Sequence, residues 1–129
     1  MPRLLLIDDD ALLREMLAAA LVQAGHTVVQ AEDGRQGVNF FRAEPADLVI
    51  TDLVMPDREG IETIIALHGK WPALPIVAMS GGDTRSSVYL ALAAKLGACR
   101  TLAKPFATDV LLRAIDELLA PQLEPPAAG

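Results

Sequence analysis

The chain has 129 residues, 52% of them apolar, which is enough for one proper core and makes a single domain the default. Lys and Arg number 11 against 17 Asp and Glu, a formal charge of −6, and the basic residues are scattered, which argues against a nucleic-acid surface. The single cysteine, Cys99, excludes an intramolecular disulfide. No signal-peptide pattern opens the chain, and its longest stretch without a polar side chain, Met16 to Val22, falls far short of the roughly 20 residues a bilayer crossing needs. The expectation is a soluble, cytoplasmic protein with no membrane or nucleic-acid partner.

Short apolar runs alternate with segments of helical period. Leu4 to Ile7 is the first run, and the helix expected over Ala11 to Ala24 carries Leu13, Leu17 and Leu21 on one face and stops at Gly25. Thr27 to Ala31 is a second run, followed after an Asp33-Gly34 turn by a helix from Gly34 to Arg42. Leu48 to Thr51 precedes a helix from Glu59 to Leu67, and Ile76 to Met79 precedes one from Thr84 to Leu96, ending at Gly97. Arg100 to Ala103 is the last run, with a helix from Thr108 to Leu119. Residues 121–129 hold three prolines and read as a disordered tail or linker stub after a domain of residues 1–120. Such alternation with short links predicts an α/β fold, a five-stranded parallel sheet doubly wound as (βα)5. Leu4 to Ile7 and Ile76 to Met79 are continuously apolar, as in strands buried on both faces, and are expected centrally. In the fourth helix, a turn of about 100° per residue puts Val88, Tyr89, Leu92 and Leu96 toward the core and leaves Leu90, Ala93 and Ala94 outside, a possible docking face.

In open parallel sheets chemistry gathers at the carboxyl ends of the strands. Those ends carry Asp8, Asp9 and Asp10, then Asp52, Ser80 and Lys104. Each has an ordinary reading: Asp10 as an N-cap, Asp8 and Asp9 as favourable charges at a helix start, Asp52 and Ser80 as turn residues, Lys104 as a solvated lysine. Together they say more. Converging carboxylates need a cation, and an all-oxygen set without paired His or Cys favours Mg²⁺. A metal, an ammonium and a hydroxyl suit a phosphoryl group, and a carboxylate can be the nucleophile.

These residues stand within motifs that resemble the receiver domains of two-component response regulators. The motifs are Ile7-Asp8-Asp9-Asp10, Ala31-Glu-Asp-Gly34, Asp52-Leu-Val-Met55-Pro56-Asp-Arg-Glu-Gly60, Pro75-Ile-Val-Ala-Met-Ser80-Gly81, Gly97-Ala98 and Lys104-Pro105-Phe106, in the family's order over residues 3 to 119. The resemblance implies a flavodoxin-like fold with Asp52 as phospho-acceptor from a sensor histidine kinase or phosphotransfer protein. It implies Mg²⁺ on Asp9, Asp52 and the backbone carbonyl of Val54, with Asp8 acting through a metal-bound water. Lys104 and Ser80 would hold phosphoryl oxygens, and a cis Lys104-Pro105 bond would aim the lysine. Helix four, strand five and helix five would form the surface that controls an output domain, a partner protein or a homodimer. The chain departs from the pattern at Thr101, where many members have an aromatic residue; Tyr89, its only tyrosine, is expected to pack rather than to switch. Asp8-x-Asp10 also resembles the nucleophile motif of haloacid-dehalogenase-type phosphatases, but the late acidic pair of that family is missing, since Asp116-Glu117 falls inside the last helix. A receiver-like binding module that never takes phosphate is the third reading, with Thr101 its only support.

Overall fold

The computed structural model of the chain describes residues 2–53, 59–81 and 86–120. Five strands and five helices alternate: β1 (Arg3–Ile7), α1 (Ala11–Gln23), β2 (Thr27–Ala31), α2 (Gly34–Ala43), β3 (Leu48–Asp52), α3 (Glu59–Lys70), β4 (Ile76–Ser80), α4 (Ser86–Leu96), β5 (Arg100–Ala103) and α5 (Thr108–Leu119). All strand pairs are parallel and lie in the order β2-β1-β3-β4-β5. The centre is therefore β3, with the two strands expected there, β1 and β4, on either side of it. All five residues of β3 are buried, including the polar Thr51 and Asp52, which interrupt the apolar run that marks the other two.

Alternate side chains of the inner strands feed two cores. Leu5, Ile7, Val49, Ile76 and Ala78 pack with Phe41 of α2, Ile64 and Leu67 of α3 and Ala93 of α4. Leu4, Leu6, Leu48, Ile50, Val77 and Met79 pack on the other face with Leu17 and Leu21 of α1 and Leu111 and Ile115 of α5. The chain runs from β1 out to β2 through α1 on one face, then turns back through α2, α3 and α4 on the other, and α5 returns to the face of α1, as the right-handed rule for parallel crossovers requires. The glycines expected to end α1 and α4, Gly25 and Gly97, have φ of +100° and +130°, values that favour glycine.

Helix α4 is rotated from the expected orientation. Ala93 is fully buried, Tyr89, Leu90 and Leu96 pack partly against the core, and Val88 and Leu92 are exposed. A helix apolar on nearly every side lacks a polar face to orient it, and the tight approach to the sheet selects the small Ala93. Its outward apolar surface is thus Val88, Ala91 and Leu92, beside Lys95. Val110 of α5 adds a further exposed apolar side chain. No described helix is long and apolar enough to cross a membrane. The expected start of the fourth helix at Thr84 and the tail at 121–129 lie outside the described residues.

Candidate functional site

Backbone hydrogen bonds carry the sheet ladder past the strand ends and set where each polar residue stands. The Asp8 amide donates to the Ala31 carbonyl (3.1 Å), the Leu53 amide to that of Met79 (2.8 Å) and the Lys104 amide to that of Ser80 (2.7 Å). Because β1, β3, β4 and β5 are neighbours in that order, Asp8, Asp52, Ser80 and Lys104 line up along one edge. Asp10 turns the chain into α1 by accepting from the Leu13 amide at 3.2 Å, its ordinary reading as an N-cap.

Asp8 is fully buried, Asp52 is 4% exposed and Asp9 is open to solvent. One carboxylate oxygen from each of the three lies within 4.8 Å of the others. Lys104 Nζ is 3.1 Å from Asp8 Oδ2 and 3.5 Å from Asp52 Oδ1, so the lysine bridges both aspartates, with the shorter contact to Asp8. Asp8 Oδ1 accepts from the Asp10 amide at 2.9 Å. Three carboxylates against one ammonium leave an excess of negative charge at this edge, with Asp8 and Asp52 enclosed and Asp9 open to solvent. The buried pair Asp8 and Asp52 repel by about 3 kcal/mol at an effective dielectric near 20, and solvent screens the exposed Asp9 more strongly. The cluster is therefore set up for a cation, and the carboxylate set suits a hard divalent ion.

Ser80 Oγ is buried and finds no hydrogen-bond partner among the described residues. Such an orphan costs about 1 to 3 kcal/mol. Lys104-Pro105 is cis, as expected. Thr101 is half-buried on β5 opposite Ala78, and Tyr89 packs against the core rather than lying at the edge. Asp8, Asp9, Asp52 and Lys104 are thus brought together, and Ser80 stands at the end of the neighbouring strand β4. The backbone carbonyl of Val54 lies outside the described residues.

Two features escaped the sequence reading. Arg14, one turn into α1, donates from Nη1 to the Asp8 carbonyl (2.7 Å) and from Nε to Gln30 Oε1 (3.1 Å); its position four residues after the capping Asp10 was the available signal. Beside the acidic edge, Leu13, Met16 and Leu17 of α1 face Pro105 and Phe106 across a groove of about 600 Å³ with Lys104 in its wall. Leu12 and Met16 are 70% and 62% exposed, and Met16 lines the groove with Lys104, so an apolar surface adjoins that lysine. Their i, i+4 spacing just outside the Leu13-Leu17-Leu21 stripe was the trace of it.

Comparison with known proteins agrees with this geometry. Residues 4–116 match the family model described as the response regulator receiver domain. The alkaline phosphatase synthesis transcriptional regulatory protein SphR of Synechococcus elongatus is 34% identical over 97% of this chain and 51% of its own length. The receiver domain structure from Clostridium thermocellum superposes with a TM-score of 0.84 at 26% identity, covering 92% of this chain and 94% of that one. The response regulator TrrA from Thermotoga maritima, solved in complex with Mg²⁺-BeF, gives 0.82 at 29% identity, covering 92% and 100%. The chain spans about half the length, or less, of the curated relatives it matches.

Proposed function

The chain belongs to the response regulator receiver domain family, and from that premise we propose that it is a phosphorylation-dependent switch of a two-component phosphorelay. Asp52 takes the phosphoryl group from a histidine kinase or phosphotransfer protein in a Mg²⁺-dependent reaction. The observation that carries this reading is the convergence of Asp52 with Lys104, Asp8 and Asp9 at one edge of the sheet, where β4 ends on the Ser80 hydroxyl, which has no hydrogen-bond partner among the described residues. An Asp52 carboxylate oxygen forms a bond to phosphorus as the bond from phosphorus to the donor imidazole nitrogen breaks, and the electron pair of that bond stays on the nitrogen. Asp9, Asp52 and the carbonyl of Val54 would hold Mg²⁺, with Asp8 behind them. When bound, the metal supplies charge neutralisation on the phosphoryl oxygens. Lys104 exchanges a carboxylate for a phosphoryl oxygen, and Ser80 Oγ donates to another.

The product carries about one more negative charge than the aspartate and new acceptor oxygens, so Ser80 interacts with one state and not the other. That difference biases the loop after β4 and, through it, the surface of α4, β5 and α5, where Val88, Leu92 and Val110 are exposed. The occupant of that surface is an output domain, a partner protein or a second copy. Residues 1–120 form the receiver, and residues 121–129 a Pro-rich tail or linker.

Intact mass after incubation with Mg²⁺ and a small acyl phosphate tests the reading. One phosphoryl adduct is expected, and none when the metal is chelated. Failure with both the acyl phosphate and a phosphohistidine donor would instead make the chain a phosphate-independent binding module. The groove beside α1 adds a prediction about the donor. Met16→Glu puts a charge on the apolar surface beside Lys104, where a protein donor would rest and a small one need not. Phosphotransfer from a phosphohistidine protein is expected to slow about tenfold or more, with the acyl phosphate rate unchanged. Equal slowing with both donors would show that Met16 acts on the site itself.

A further inference from the structure

Asp8 has every polar group engaged. Its amide donates to the Ala31 carbonyl, its two carboxylate oxygens accept from the Asp10 amide and Lys104, and its own carbonyl accepts from Arg14 Nη1 at 2.7 Å. The Arg14 guanidinium is itself fixed by Gln30 Oε1 on β2, at 3.1 Å from Nε. The Asp8-Asp9 peptide is thereby clamped between the end of β2 and the first turn of α1 by a planar fork, a part that a lysine cannot fully replace. A charge-assisted bond this short fixes the direction of the carbonyl and with it the departure of the Asp9 side chain.

We propose that Arg14 is a positioning residue for the cation site: through the Asp8 carbonyl it holds the Asp8 and Asp9 carboxylates in convergence with Asp52. This role rests on the Mg²⁺-dependent reading above. It also has a sign that separates it from electrostatics. Arg14 brings a positive charge close to a site for a divalent cation, so deleting it for charge reasons alone would tighten Mg²⁺ binding. Loss of positioning loosens it. Outer partners that orient metal ligands typically govern affinity by ten- to a hundredfold, as a general range.

The test is calorimetric titration of the full chain with Mg²⁺, alongside the thermal midpoint and backbone amide exchange at residues 8–10 in metal-free protein. Arg14→Met is expected to weaken Mg²⁺ binding about tenfold and to speed exchange at Asp9 and Asp10. Arg14→Lys, which restores the charge and one donor, is expected to recover part of the affinity. Gln30→Leu leaves the charge in place, frees the guanidinium on its far side and is expected to weaken binding to a smaller extent. It also decides the matter if Arg14→Met does not fold. Binding as tight as wild type, or tighter, in a folded Arg14→Met chain overturns the proposal, as does an unchanged affinity in Gln30→Leu. A wild-type chain that takes up no Mg²⁺ overturns the proposed function and this role with it, whereas normal wild-type uptake with indifferent variants overturns the role alone.

Discussion

Asp52→Asn is expected to abolish phosphoryl acceptance outright: with Mg²⁺ and a small acyl phosphate, the wild-type chain should gain one phosphoryl group by intact mass and the variant none. An amide occupies the same volume and is no nucleophile toward phosphorus, so the chemistry is lost while the shape is kept. The substitution also takes one negative charge from a cluster of three carboxylates held within 4.8 Å, so the fold is not expected to weaken. Asp8→Asn is the informative partner. Both Asp8 carboxylate oxygens are engaged, by the Asp10 amide and by Lys104, and the residue is fully enclosed, so it is expected to support the site rather than to attack from it. An adduct that survives Asp52→Asn and vanishes in Asp8→Asn would move the nucleophile to β1 and revive the phosphatase reading. The structure gives that reading little to work with, because Glu117 sits on α5 in an ion pair with Arg100 at 2.6 Å and Asp116 is exposed on the same helix.

What could be read from sequence follows from how each signal is encoded. Strand ends are legible because a parallel sheet buries its strands and ends them at polar residues, so Asp8, Asp52, Ser80 and Lys104 each stand at a visible change of composition. Their meeting also follows, since the fold class alone puts those ends on one edge. The facing of α4 was not legible, because apolar and small residues on most sides give periodicity no contrast to report, and close packing made the choice of Ala93. The central place of β3 was hidden by its own polar end, Thr51-Asp52. The Arg14 clamp depends on a partner, Gln30, that is 16 positions away on another strand, and no local pattern couples the two.

Gly60 shows how a motif spacing becomes geometry, and its replacement carries the second large effect. A Cβ at Gly60 would press on the carbonyl oxygen of Asp52 and the Cα of Leu53, both backbone atoms that cannot swing aside. The glycine eight residues after Asp52 is what lets the start of α3 lie directly over the end of β3, and so over the peptide that presents the proposed phospho-acceptor. Gly60→Ala is expected to destabilise the chain by about 2 to 3 kcal/mol, the usual cost of overpacking where nothing can yield. For a domain of this size that lowers the thermal midpoint by about 10 °C. Gly69→Ala, in the same helix, meets nothing within 4 Å. It should leave stability unchanged or raise it by up to about 1 kcal/mol through helix propensity. Thermal unfolding of both variants checks the pair. If Gly60→Ala melts at or above the wild-type midpoint, α3 does not need that close approach, and the glycine of the motif requires another explanation. If it melts lower, its rate of phosphoryl uptake well below the midpoint should fall too, because the atoms displaced are the Asp52 carbonyl and the residue after it.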